Sequence, residues 1–183
     1  MEFADEILPR IQKAGYNDIR IYTFGDMLRV PYKGKSLLDY KDRVKLFYSP
    51  LDVLNDETNF TKIVLGIGFE TTIPMFGTLI ERIITNNITD IYFLTSFKAI
   101  LPAMNYLLFT DNNIHGFILP GHVSTIIGSD VYKSLLEKSC TPGCVAGFTT
   151  QQILSSILFL LYHHQKGVTG NVYKEVVNKN GNQ

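Results

Sequence analysis

The chain has 183 residues, and its 17 Lys and Arg balance 17 Asp and Glu, so its formal charge is zero. With 45% hydrophobic and 19% charged residues the composition is that of one ordinary domain or two small ones, which excludes disordered and collagen-like chains. A neutral chain casts no long-range field toward phosphate backbones or anionic lipid, so any partner has to be recognised locally, by shape and a few polar groups.

Glu2, Asp5 and Glu6 come before the first positive charge and no apolar core follows them, which is not the pattern of a signal peptide. The longest apolar stretch, 153–162, is interrupted by Ser155 and Ser156 and falls short of the ~20 residues of a membrane span. Cys140 and Cys144 are the only cysteines, too few for a disulfide framework, an Fe–S cluster or a closed zinc site. A reducing, cytoplasmic setting is the expectation.

Short β-branched and aromatic runs then alternate with helical patterns: IRIYT at 19–23, VKLFY at 44–48, KIVLGIG at 62–68, DIYFLT at 90–95, IHGFIL at 114–119 and CVAGF at 144–148. Parallel strands need long crossovers and are covered on both faces, which explains runs that are apolar throughout. The expected fold is α/β, with parallel sheets flanked by helices in a Rossmann-like arrangement. Pro31, Gly34 and the lysines at 33, 35 and 41, with Lys45 at the edge, make 27–43 an exposed loop leading to a short helix. Ser49, Pro50 and Asp52 carry the residues of a capping box with proline at the first helical position. The polar stretch 55–61 is the expected domain boundary: a partial first α/β unit with two strands over 1–59, and a complete second unit with four parallel strands over 60–183. The last helix is expected over 151–165, with Ile153, Ile157, Leu160 and Leu161 in the core.

In an open parallel sheet the ligand crevice lies beyond the carboxyl ends of the strands. There the sequence places Asp26 and Arg29 after the first run, Gly68, Glu70, Thr71 and Thr72 after the third, Gly121, His122, Ser124 and Thr125 after the fifth, and Thr149 and Thr150 after the sixth. A carboxylate, an imidazole and hydroxyls beside close-approach glycines could hold a metal complex, orient water or accept a proton. Structural roles fit the same residues. Glu70 suits a positive helix end, His122 a hydrogen-bonded turn, the hydroxyls suit caps, and Asp26 with Arg29 suits an ion pair holding the first loop. Gly66 and Gly68 lack the third glycine of a dinucleotide fingerprint, since Thr71 occupies its place. Cys140 and Cys144 flank a turn and suit structure better than a metal, while His163 and His164 diverge around a helix and suit a solvated C-terminus.

Taken together, TFGDMLRVP at 23–31, YSPLDVL at 48–54, GFETT at 68–72, LPAM at 101–104, GFILPGHVSTIIG at 116–128, VAGF at 145–148 and NVY at 171–173 resemble the HypD family of hydrogenase maturation proteins, in the family's order and over most of the chain. The resemblance implies a cytoplasmic scaffold on which iron carrying cyanide and carbon monoxide is assembled for [NiFe] hydrogenases. It implies as partners a HypC-type iron chaperone and a HypE-type cyanide donor. It places Glu70, Thr71, Thr72, His122 and Ser124 in an interdomain cleft as the reactive set, with His122 as donor or proton relay and Glu70 orienting it or a neighbouring group. Gly68, Gly121, Asp26 and Arg29 are the expected cofactor-binding residues.

The departures from the family pattern are specific. The family's Cys-Gly-x-His and Gly-Pro-Gly-Cys-Pro-x-Cys segments, and its cysteine-rich [4Fe–4S] domain, have no counterpart in this sequence. Phe97 stands where the family usually has His, and Thr149 and Thr150 replace its usual Glu-Pro. The expectation is therefore a truncated scaffold that itself holds no cofactor or metal, with an uncovered sheet edge that dimerisation or a partner covers. Two other readings compete: a hydrolase built on Ser124, His122 and Glu70, which lacks a nucleophile elbow, and a protein-binding module that has lost its chemistry.

Overall fold

The computed structural model describes residues 18–31, 33–110 and 113–182, so Glu2, Asp5 and Glu6 lie outside the described residues. The chain divides into two compact units. The first takes the chain up to Gly68 together with Thr72–Phe97, and the second takes Phe69–Thr71 and the chain from Lys98 onward.

In the first unit β1 (Ile19–Thr23), β2 (Val44–Leu46), β3 (Thr61–Gly68) and β4 (Ile91–Phe97) form one parallel sheet in the order β2-β1-β3-β4. Both faces of the central strands are covered. Ile19, Ile21, Ile63 and Leu65 point to one face, where Leu37, Met27 and Tyr40 from the 3-10 turns Gly25–Arg29 and Leu37–Tyr40 pack on them. Tyr22 and Val64 point to the other, against Phe76 and Leu79 of α1 (Ile73–Thr85) and Val53 of the turn Pro50–Asn55. Complete burial of a side chain such as Leu79 is worth about 2 kcal/mol. The capping box expected at Ser49 is present: Leu51 N–H donates to the Ser49 hydroxyl, and Asp52 accepts from the Ser49 amide at 3.0 Å, although the turn it starts is 3-10.

This sheet departs from the expected boundary at 55–61. β3 lies between β1 and β4, so residues 55–61 are a crossover within one sheet rather than a linker between units. A polar crossover and a polar linker have the same composition, and pairing alone separates them.

The second unit carries α2 (Ile100–Thr110), β5 (Phe117–Pro120), α3 (Gly121–Ile127), α4 (Lys133–Ser139), β6 (Gly143–Ala146), α5 (Thr150–Tyr162) and β7 (Thr169–Asn171). Its sheet has three parallel strands in the order β5-β6-β7. The strand β7, with sequence TGN, was not expected, because it is short, contains glycine and offers no apolar run. Met104, Leu119, Tyr132, Leu136, Val145 and Val177 form the core. The stripe of α5 turned inward differs from the expected one: Ser156 is fully buried and Leu160 half-buried, whereas Ile153, Ile157 and Leu161 are 36%, 39% and 69% exposed. The helix is rotated by about one residue, ~100°, so that small Ser156 faces the narrow sheet. No helix among the described residues is long and apolar enough to cross a membrane.

Candidate functional site

Gly68 ends β3 at φ 151°, a conformation that favours glycine, and a Cβ there would stand 2.6 Å from the Thr72 hydroxyl oxygen. The GFETT string thus folds tightly back on itself. Thr72 precedes α1 without capping it through its side chain, and Thr71 is exposed. Glu70 is half-buried and reaches a helix other than the one it precedes. Its Oε1 accepts the Ile100 amide at 2.7 Å, capping α2, while its Oε2 is buried with no hydrogen-bond partner.

The PGHVS string passes from β5 into α3 with no intervening loop. Gly121 is required there, because a Cβ would lie 2.6 Å from the Ala146 carbonyl and 2.7 Å from the Tyr173 ring. His122 and Ser124 are two residues apart on α3, so they point to opposite sides of it. Ser124 is fully buried; its hydroxyl donates to the Pro120 carbonyl at 2.8 Å and lies 3.1 Å from the Tyr132 hydroxyl. His122 is exposed, with its ring edge-on to Phe148 at 4.9 Å. Neither a hydrogen bond nor a ring contact joins His122 to Glu70 or to Ser124.

Glu70 acts instead on Tyr132. Burial pushes the Tyr132 phenol above its ordinary range, the Ser124 hydrogen bond draws it back, and the charge of Glu70 raises it again. The charge of Glu70 is therefore felt at Tyr132, a residue that local sequence patterns do not single out. Tyr173 is a second such residue: its ring packs over Gly121 and beside Gly147, and its amide is fixed by Asn171 Oδ1 at 2.8 Å. The NVY string was the only signal for it.

Two expected arrangements are replaced by others. Asp26 and Arg29 form no ion pair; both are exposed, at the first and last turns of a 3-10 helix, where each charge suits its end of the helix dipole and water removes the gain from pairing. His163 is not solvated, for it is half-buried between Phe159 and Tyr162 with its Nδ1 unpartnered. The positions that depart from the family pattern have local structural uses. Phe97 extends the apolar ring cluster by packing 5.1 Å from Phe76, and the Thr149 hydroxyl caps α5 by accepting the Gln152 amide.

The two cysteines differ. Cys140 is exposed and Cys144 is buried in β6, where burial pushes its thiol up to about 11 and the Val172 amide draws it back in part. One buried and one exposed thiol do not supply the four thiolates of a [4Fe–4S] cluster, so the described residues do not fit that group.

The fold defines an α/β protein with two parallel sheets, in each of which polar residues follow the carboxyl ends of strands, where such folds bind ligands. The hydrolase reading fails on the divergence of His122 from a Ser124 that is buried and bonded to backbone. The chain matches the HypD family, described as the hydrogenase formation hypA family, over residues 4–183. It is 34% identical to the hydrogenase maturation factor HypD of Escherichia coli over 94% of this chain and 48% of that protein. It is 33% identical to a putative hydrogenase expression/formation protein of Methanocaldococcus jannaschii, over 91% of this chain and 49% of that protein. Against the hydrogenase maturation factor HypD of Rhodobacter capsulatus it is 31% identical, over 97% of this chain and 51% of that protein. The chain belongs to the HypD family, and it spans about half the length of these relatives.

Proposed function

We propose that the chain serves hydrogenase maturation as a scaffold surface, with an iron group carrying cyanide and carbon monoxide as its cargo. The partners are a HypC-type iron chaperone and a HypE-type cyanide donor, and the setting is cytoplasmic. The observation that carries the reading is Glu70: one oxygen caps α2, the other is buried and unpartnered, and its charge is felt at Tyr132, which lies 3.1 Å from Ser124 of the PGHVS segment. The Ile100 bond fixes the segment after β3 to the start of α2 without spending Glu70 on bond-making chemistry.

The division of labour follows from the ligand types. A low-spin iron with strong-field diatomic ligands needs soft anionic anchors, and an imidazole with one carboxylate does not provide them. This chain's contribution is to bind and orient. Exposed His122, braced by Phe148, can donate to a cyanide nitrogen or carry a proton, and Gly68 and Gly121 let backbone approach closely. Anaerobic reconstitution of the purified chain with iron, followed by infrared spectroscopy, is expected to give no cyanide or carbonyl bands on the chain alone. Calorimetry is expected to detect binding of the HypC-type partner, weakened about tenfold by His122→Ala. Bands held by the chain alone would defeat the orienting role, and partner affinity indifferent to His122 and Phe148 would remove the surface from the function.

A further inference from the structure

The strands of the second unit are parallel, so their incoming loops meet at the sheet edge opposite the one that carries His122 and Thr149. His115 precedes β5, Cys140 precedes β6 and His164 precedes β7, and all three line one pocket of about 360 Å³. The imidazoles of His115 and His164 are stacked, with centroids 5.5 Å apart and planes 14° from parallel. His115 Nδ1 lies 2.9 Å from the Asn113 carbonyl oxygen. A carbonyl only accepts, so Nδ1 carries the proton and Nε2 the lone pair, which is how a metal-binding histidine is commonly set by its backbone partner. Cys140, an exposed cysteine outside any disulfide, sits in a left-handed conformation, φ 50°, at the end of α4, and its thiol donates to the Glu137 carbonyl at 3.9 Å.

We propose that His115, Cys140 and His164 form a site for a borderline-soft divalent cation of the zinc type. Two imidazoles and a thiolate would supply three ligands, with water in the fourth position. The pocket lining contains no carboxylate, which disfavours magnesium and calcium. Among the described residues no three His, Cys, Asp or Glu side chains already stand grouped as a metal site. Binding therefore requires the three exposed side chains to turn toward one point and the Cys140 thiol to leave the Glu137 carbonyl, and it releases the thiol proton to solvent as the metal–sulfur bond forms.

Cobalt(II) titration of the full chain tests this, with zinc(II) competition against a chromophoric chelator. The expected result is one ion per chain, with a thiolate-to-cobalt charge-transfer band that zinc abolishes. Cys140→Ser removes the band, and His115→Ala and His164→Ala each weaken binding by about tenfold or more. All three ligand positions are on the surface, so circular dichroism should show each variant folded. Absence of the band at stoichiometric cobalt, a band that survives Cys140→Ser, or affinity untouched in both histidine variants would overturn the site.

Discussion

Glu70 uses its two carboxylate oxygens differently, and substitution separates the uses. Glu70→Gln can keep an oxygen for the Ile100 amide, whereas Glu70→Ala leaves the start of α2 bare and is expected to cost about 1 kcal/mol in urea unfolding. The charge reads out at Tyr132. Because the tyrosinate is an anion, removing the neighbouring negative charge favours it, so Glu70→Gln should lower the Tyr132 pKa, seen by NMR of ring-labelled tyrosine; an unmoved titration would place Glu70 out of electrostatic reach. Backbone approach gives a second contrast. Gly121→Ala drives a methyl group against the Ala146 carbonyl and should cost about 1–3 kcal/mol. Gly77→Ala, in the open part of α1, should stabilise by up to ~1 kcal/mol, the two being compared by denaturant midpoints. Motif strings pointed to Glu70 and Gly121 themselves, but not to their partners, because Ile100, Tyr132 and Tyr173 are brought in by chain folding rather than by local spacing.

Among the elements, the start of the four-stranded sheet is tied together by Asp56. Its carboxylate accepts from Tyr22 on β1, from Lys45 on β2 at 2.6 Å and from the Thr58 amide at 3.0 Å, with Arg20 at 3.5 Å. Burial alone would raise its pKa; the hydrogen bonds from Lys45, Thr58 and Tyr22 outweigh that and hold it well below the usual carboxylate range. The folded pKa is thus below the unfolded value of about 3.9, so the stability Asp56 lends is complete above about pH 5 and drains away as pH falls toward the folded pKa. Asp56→Asn should be less stable than the parent at pH 7 by about 1–3 kcal/mol, and the difference should shrink as thermal unfolding is followed from pH 5 to pH 2. The helix α5 offers a further test of its observed rotation. Leu158, 66% exposed, should accept Lys within about 0.5 kcal/mol, whereas Ser156→Leu overfills a closed contact and should cost about 1–3 kcal/mol in the same unfolding assay. Periodicity showed that α5 exists but not which stripe turns inward, since its apolar residues occur all around the helix and a buried serine gives no hydropathic signal.

At the level of the whole molecule, six of the seven described strands were legible because their runs concentrate β-branched and aromatic residues. The division into units was not, because hydropathy reports how polar a segment is and says nothing of which strand it delivers its neighbour to. The segments after β3, β5 and β6 were legible through the strings they carry, while the outward turn of His122 and the inward turn of Ser124 became visible only with the helix they share. The order β2-β1-β3-β4 also bears on how the chain is born. β1 is an interior strand, yet the last of its two neighbours ends at Gly68, some 45 residues after Thr23, so at ~5–20 residues per second the ribosome takes about 2–9 s to deliver it. For that interval a ribbon as apolar as IRIYT is exposed along one side, and nascent-chain crosslinking should find trigger-type chaperones on it until residue 68 has left the exit tunnel.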